Sequence, residues 1–131
     1  MVLITKGQFE AEIGSGIMKF EKEYYGRGPR EIQTYILKDM IIIKQKGVLT
    51  LAEEQLADNP EGVELIRRLR EKLLKTNKKS FENIIQSITG CQIINVYTDI
   101  SVEHSEKIIV VTLDRDMEHL ITKRKDKDKV V

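Results

Sequence analysis

The chain has 131 residues, 33% charged and 40% hydrophobic, and its 22 Lys and Arg against 21 Asp and Glu leave a formal net charge of +1. That size holds one domain with one modest core, and the near-zero charge excludes a protein drawn to nucleic acid by its overall field. Cys91, the single cysteine, rules out an internal disulfide and a cysteine zinc site, fits a reducing cytosol and reads as a small apolar residue at the start of a strand.

The longest apolar runs, residues 40–43 and 108–111, fall far short of the roughly 18 residues a membrane span needs. Residues 1–4 are apolar, but Lys6 follows them, whereas a signal peptide places its cations first. The expectation is a cytoplasmic protein that reaches a membrane, if at all, peripherally through a protein partner.

Thr5 and Gln8 have the spacing of a capping box, so a first helix begins there. Phe9, Ile13, Ile17, Phe20 and Tyr24 form its apolar stripe, opposite Glu10, Glu12, Lys19, Glu21, Lys22 and Glu23. Gly14 and Gly16 weaken a helix and point to close packing. Gly26, Gly28 and Pro29 end it. Residues 32–37 and 40–44 are rich in β-branched residues and flank a tight turn at Lys38 and Asp39, which predicts a hairpin. Both faces of its second run are apolar, so one face belongs to a helix layer and the other to a subunit partner.

Thr50 and Glu53 form a second capping box that opens a short helix through Leu56 and Ala57. From Asn59 as N-cap and Pro60 at the first helical position to Gly90 as a left-handed stop, the pattern reads as one helix. At about 1.5 Å per residue it is roughly 45 Å long, too long for a small domain unless it overhangs, bends or meets a partner. Residues 92–98 and 107–113 then predict a second hairpin, 114–121 a short turn or helix, and 123–129, with no apolar face, a frayed basic tail. One domain therefore covers residues 1–122, and the tail 123–131.

Phe20 and Glu21 late in the first helix resemble Phe81 and Glu82 late in the long one. Gly28 precedes Ile32 and Tyr35 by the spacing at which Gly90 precedes Ile94 and Tyr97. A hairpin follows each. The expected fold is α+β: two helix-strand-strand units forming a four-stranded, mainly antiparallel sheet with helices packed on one face. On this alignment residues 75–90 are the counterpart of the first helix, and 61–74 are an extension where a partner is first sought. The open sheet face carries exposed apolar residues, and a homodimer is the simplest reason for them.

No residue pattern spells out a reaction. His104 and His119 stand apart from one another and from any metal-ligand motif, and no nucleophile elbow occurs, so no catalytic residue, metal or cofactor is assigned and the chain reads as a non-enzyme. Asp114 and Asp116 read as capping or salt-bridging groups.

Arg27, Gly28, Pro29 and Arg30 form the best candidate for an anion- or partner-binding loop, since two arginines can hold an anion bidentately. Against this, the loop follows a helix C-terminus, where the macrodipole opposes an anion. Thr98 and Asp99 supply small polar groups to the same candidate. Arg67, Arg70, Lys75, Lys78 and Lys79 belong to a basic stretch that reads as a partner or nucleic-acid surface, or as a solvated face. It lacks aromatic residues for base stacking, so the nucleic-acid signal is weak.

Residues 20–24 through Pro29, then Thr34, Tyr35 and Ile36, Leu49 and Thr50, the Glu-rich start of the long helix, Thr98 to Ser101 and Thr112 to Asp116 resemble, as an ordered set, the MpsC family. The resemblance covers roughly residues 5–120. That family is named for the small soluble component of a bacterial membrane-potential-generating system whose two membrane-associated partners resemble a proton- or sodium-translocating antiporter subunit and a zinc-containing inorganic-carbon transporter subunit. It implies a non-catalytic accessory or regulatory role in cation-coupled bicarbonate transport, with membrane transporter subunits as partners. A dimeric small-anion sensor and a nucleic-acid-binding module using the basic helix face are the alternatives.

Overall fold

The computed structural model describes residues 5–129, with side chains as far as Lys123. The apolar residues 1–4 and the last two residues of the expected tail lie outside the described residues. Helix α1 spans Lys6–Tyr25, strands β1 and β2 span Glu31–Leu37 and Met40–Lys46, and α2 is the single turn Leu51–Glu54. Helices α3 (Pro60–Thr76) and α4 (Lys78–Thr89) follow, then β3 (Ile93–Ser101), β4 (Glu106–Leu113) and α5 (Met117–Lys129).

The four strands form one antiparallel sheet in the order β1-β2-β4-β3, the α+β architecture expected from the sequence. Two hairpins meet along β2 and β4. Each follows a helix that ends on a glycine in the left-handed region, Gly26 at φ 86° and Gly90 at φ 73°. The repeat is therefore visible in three dimensions, with Gly26 rather than Gly28 as the counterpart of Gly90. The repeated phenylalanines touch: the rings of Phe20 and Phe81 meet edge-on at 5.8 Å where α1 packs against α4.

The long helix expected over residues 59–90 is two helices. Asn77, at φ −105° and ψ 15°, caps both, and its side-chain amide donates to the Leu73 carbonyl at 3.0 Å. The break frees α4 to lie beside α1 on the sheet and leaves α3 as the outer extension, which resolves the length problem that one straight rod posed.

One face of the sheet holds the core. Ile13, Ile17 and Phe20 of α1 and Phe81 and Ile85 of α4 close over Ile41 and Ile43 of β2 and Ile109 and Val111 of β4. Cys91 is fully buried there, as expected of an inert core thiol. Gly14 and Gly16 let α1 approach closely. A Cβ on Gly14 would lie 3.2 Å from Thr34 Oγ1, and one on Gly16 would lie 2.8 Å from Ile84 Cγ2. A smaller cluster of Val48, Leu49, Ile66, Ile100 and Val102 seats α3 at the far end of the sheet.

Both capping boxes form. Thr5 Oγ1 accepts from Gln8 N at 3.1 Å, and Gln8 returns a bond to Thr5 N at 3.0 Å. Thr5→Ala removes this N-cap and is expected to lower stability by about 1 kcal/mol in urea unfolding, with an unchanged m-value.

At the C-terminus, Asp116 accepts from His119 N at 2.8 Å and starts α5, the capping role read from the sequence. The frayed tail expected from Lys123 is instead helical backbone as far as Lys129. A helix already nucleated at Asp116 needs no apolar face to propagate, because each further residue adds a hydrogen bond.

Candidate partner groove and its buried charges

Helix α3 is fixed at both ends by side chains. Asn59 Oδ1 accepts from Gly62 N at 2.8 Å, and Pro60 occupies the first helical position, where no N–H is needed. Further along, Arg70 turns inward and is only 8% exposed. It donates to both Glu53 carboxylate oxygens at 2.8 and 2.6 Å and to the Val48 carbonyl at 2.7 Å. Glu53 is also the acid of the second capping box, accepting from Thr50 N at 2.8 Å. One carboxylate thus joins the α2 cap to α3. Burial pushes the Glu53 carboxyl up, but hydrogen bonds from Arg70 and Thr50 outweigh it and hold it below its ordinary value.

A second buried pair lies alongside. Glu21 of α1, 3% exposed, accepts from Gln45 Nε2 at 2.5 Å and from the Lys107 ammonium. Gln45 and Lys107 face each other across β2 and β4. The Tyr25 ring stands between the two pairs, with the Arg70 guanidinium carbon and Lys107 Nζ each 5.0 Å from its centroid. Burial, reinforced by the Glu21 carboxylate, pushes the Tyr25 phenol up to about 12. Burial lowers the Lys107 ammonium against the pull of Glu21.

Above these charges lies a cavity of about 340 Å³ lined by Tyr25, Arg67, Arg70, Thr98, Asp99 and Lys107 among others. A neighbouring hollow of about 500 Å³ shares Glu71, Leu74, Phe81 and Thr98 with it and continues past Lys75 and Lys78 along residues 93–98. Together they form one groove between the α3–α4 layer and β3. Strand β3 is the last in the sheet order, so its outer backbone edge is unpaired among the described residues. The groove has an apolar floor, a lip on which Lys75 and Lys78 stand beside Glu71 and Glu82, Lys78 pairing with Glu82, and the β3 edge.

The loop assigned from the sequence to anion binding has a structural use. Arg27 donates to the carbonyls of Leu49 at 3.1 Å, Gly47 at 3.3 Å and Gly28 at 3.4 Å. With Arg70 on Val48, guanidinium groups thus hold three successive carbonyls. Gly28 lies where a Cβ would meet the Met18 carbonyl oxygen at 3.3 Å, Pro29 is buried, and Arg30 N donates to the Lys46 carbonyl at 2.9 Å to begin the β1–β2 ladder. Thr98 and Asp99 sit apart from that loop, in the groove, where Asp99 accepts from Arg67 at 3.1 Å.

The expected basic surface also changes. Arg70 is not on it, because burying a guanidinium requires the carboxylate partner that Glu53 supplies. Arg67 is paired with Asp99, Lys75 and Lys78 border the groove, and Lys79 is exposed on α4. Glu21, grouped with the solvated face in the sequence, is a core residue. Its position four after Ile17 is the signal for this, as the inward parity with Ile109 and Val111 is for Lys107.

The fold and groove define a class: an α+β module of two helix-hairpin units whose buried charges are paired with one another beneath a groove bounded by α3 and β3. The chain belongs to the MpsC family, matching over residues 5–115 the family described as "Na+-translocating membrane potential-generating system (MpsC)". It is 37% identical to the uncharacterized protein YbcI of Bacillus subtilis (strain 168) over 119 residues, covering 91% of this chain and 96% of that protein. It is 28% identical to the uncharacterized protein YrhF of the same organism over 109 residues, covering 82% and 88%. No solved structure matches. Among the described residues, no helix is long and apolar enough to cross a membrane.

Proposed function

We propose that the protein is a non-catalytic, cytoplasmic accessory or regulatory component of a sodium-coupled membrane-potential-generating system that also serves bicarbonate transport, and that it acts by contact with the system's membrane subunits. The observation that carries this reading is the groove between α3 and β3, where an apolar floor lies beside a free strand edge and a lip of Lys75 and Lys78. Such an edge accepts an extended segment by strand addition, and Lys75, beside the Lys78–Glu82 pair, stands where it can meet an acidic side chain of that segment. The ionisable groups nearest the floor support a structural reading over a catalytic one, since Lys107 is held by Glu21 and Arg70 by Glu53. The bonding of Arg27 to main-chain carbonyls removes the main support for an anion sensor.

The test is physiological. A strain of its own species lacking the chain is expected to show a lower membrane potential by dye fluorescence and slower uptake of labelled bicarbonate, both restored by the wild type and not by Lys75→Glu with Lys78→Glu. An unchanged potential on deletion contradicts the accessory role. Unchanged uptake with a lowered potential removes the bicarbonate part alone.

A further inference from the structure

Among the described residues nothing covers the sheet face away from the helices, and the strand register arranges it as a grid. One row crosses all four strands as Tyr35, Ile42, Val110 and Tyr97. The row beyond it is Leu37, Met40, Thr112 and Asn95. On the other side come Gln33, Lys44, Ile108 and Asp99, and then Glu31, Lys46, Glu106 and Ser101. Tyr35 is 48% exposed, Tyr97 58%, Leu37 44% and Ile108 44%, so apolar surface runs unbroken from one sheet edge to the other.

We infer that this face is the contact surface of a symmetric dimer in which a second copy of the chain packs sheet against sheet. The antiparallel pairing of β2 and β4 at the sheet centre supplies the geometry. A two-fold axis parallel to the strands and midway between those two lays β1 over β3 of the second copy and β2 over β4. Rows then meet like rows. Tyr35 lies over Tyr97 of the second copy and Ile42 over Val110, while Lys46 lies over Glu106, and each pairing occurs twice.

Lys44 lies over Ile108 of the second copy, its stem on apolar surface, and Asp99 stays with Arg67 at the sheet edge. The remaining charges on this face cancel, Lys44 and Lys46 against Glu31 and Glu106, so two copies do not repel. A face roughly 19 Å wide by 24 Å long, from strand spacings of about 4.8 Å and rises of about 3.4 Å, places the dimer at the small end of specific interfaces, where association is reversible. Sheets that pack face to face cross at about 30°, which leaves the central row in register.

This inference goes beyond the groove-mediated reading, and its test uses no membrane component. Sedimentation of the full chain across the micromolar range is expected to show a reversible dimer. Tyr97→Lys and Lys46→Glu should each shift it to monomer at concentrations where the wild type is dimeric, and Lys46→Glu combined with Glu106→Lys should restore the dimer, since the swapped charges again face opposites. Circular dichroism checks that each variant is folded; if Tyr97→Lys is not, the charge-swap series decides alone. A wild type monomeric throughout, or a dimer indifferent to Lys46→Glu, overturns the inference.

Discussion

Arg70→Ala is expected to cost about 3–5 kcal/mol in urea unfolding, because it leaves the Glu53 carboxylate buried without its counter-ion. The loss is not confined to one pair. Without the guanidinium the Val48 carbonyl loses a donor, α3 loses its attachment to α2, and the Tyr25 ring loses one of its two cations. Arg70→Met with Glu53→Leu removes both charges and is expected to recover a large part of the loss, since an apolar pair of similar volume carries no unpaired ion.

The pair also sets a pH dependence. The Glu53 carboxyl is held below its ordinary value of 4.5, so its contribution is complete above that pH and disappears as pH falls through the lower, folded value. Between neutral pH and about pH 3 the wild type should therefore lose more stability than the Arg70→Met, Glu53→Leu variant. Equal losses in the two would show that Glu53 is not the acid-sensitive group.

Gly62→Ala is the second large effect, and it runs against helix propensity. Alanine for glycine in a helix ordinarily gains about 1 kcal/mol. At Gly62 the added Cβ would overlap the Leu56 carbonyl oxygen and lie 2.7 Å from its carbonyl carbon, and both are main-chain atoms that no rotamer change can move. The turn between α2 and α3 must shift, and with it the bond from Gly62 N to Asn59 that starts α3. A net loss of roughly 3 kcal/mol is expected, with faster amide exchange in α3 than in α1. Gly7 provides the control. A Cβ there meets nothing within 4 Å, so Gly7→Ala should be neutral or stabilising.

Much of this architecture is legible in local patterns. The capping boxes at Thr5 and Thr50, the hairpin turn at Lys38 and Asp39, and the helix-hairpin repeat are each set by neighbours in sequence, and all appear in the structure. The break at Asn77 was not legible as such, because Lys75 to Lys78 is compatible with continuous helix and only docking on the sheet decides between one rod and two. The site was harder to read.

Arg27 looks the same whether it holds an anion or main-chain carbonyls, and the choice depends on where residues 47–49 pass. Glu21, Lys107 and Arg70 are charged residues at inward positions. Composition rules assign such residues to solvent, and only parity with their apolar neighbours places them in the core. A charge in an apolar register is the signal to follow, since it must find its partner inside.

The central claim, that this chain works by contact with membrane subunits through the α3–β3 groove, is tested most directly by affinity purification of the tagged, full chain from detergent extracts of its own species. The account predicts that integral-membrane subunits of the sodium-translocating system co-elute with the wild type and are lost from Lys75→Glu with Lys78→Glu, a variant expected to keep the wild-type fold. Recovery of no such subunit, or equal recovery with both proteins, would contradict it.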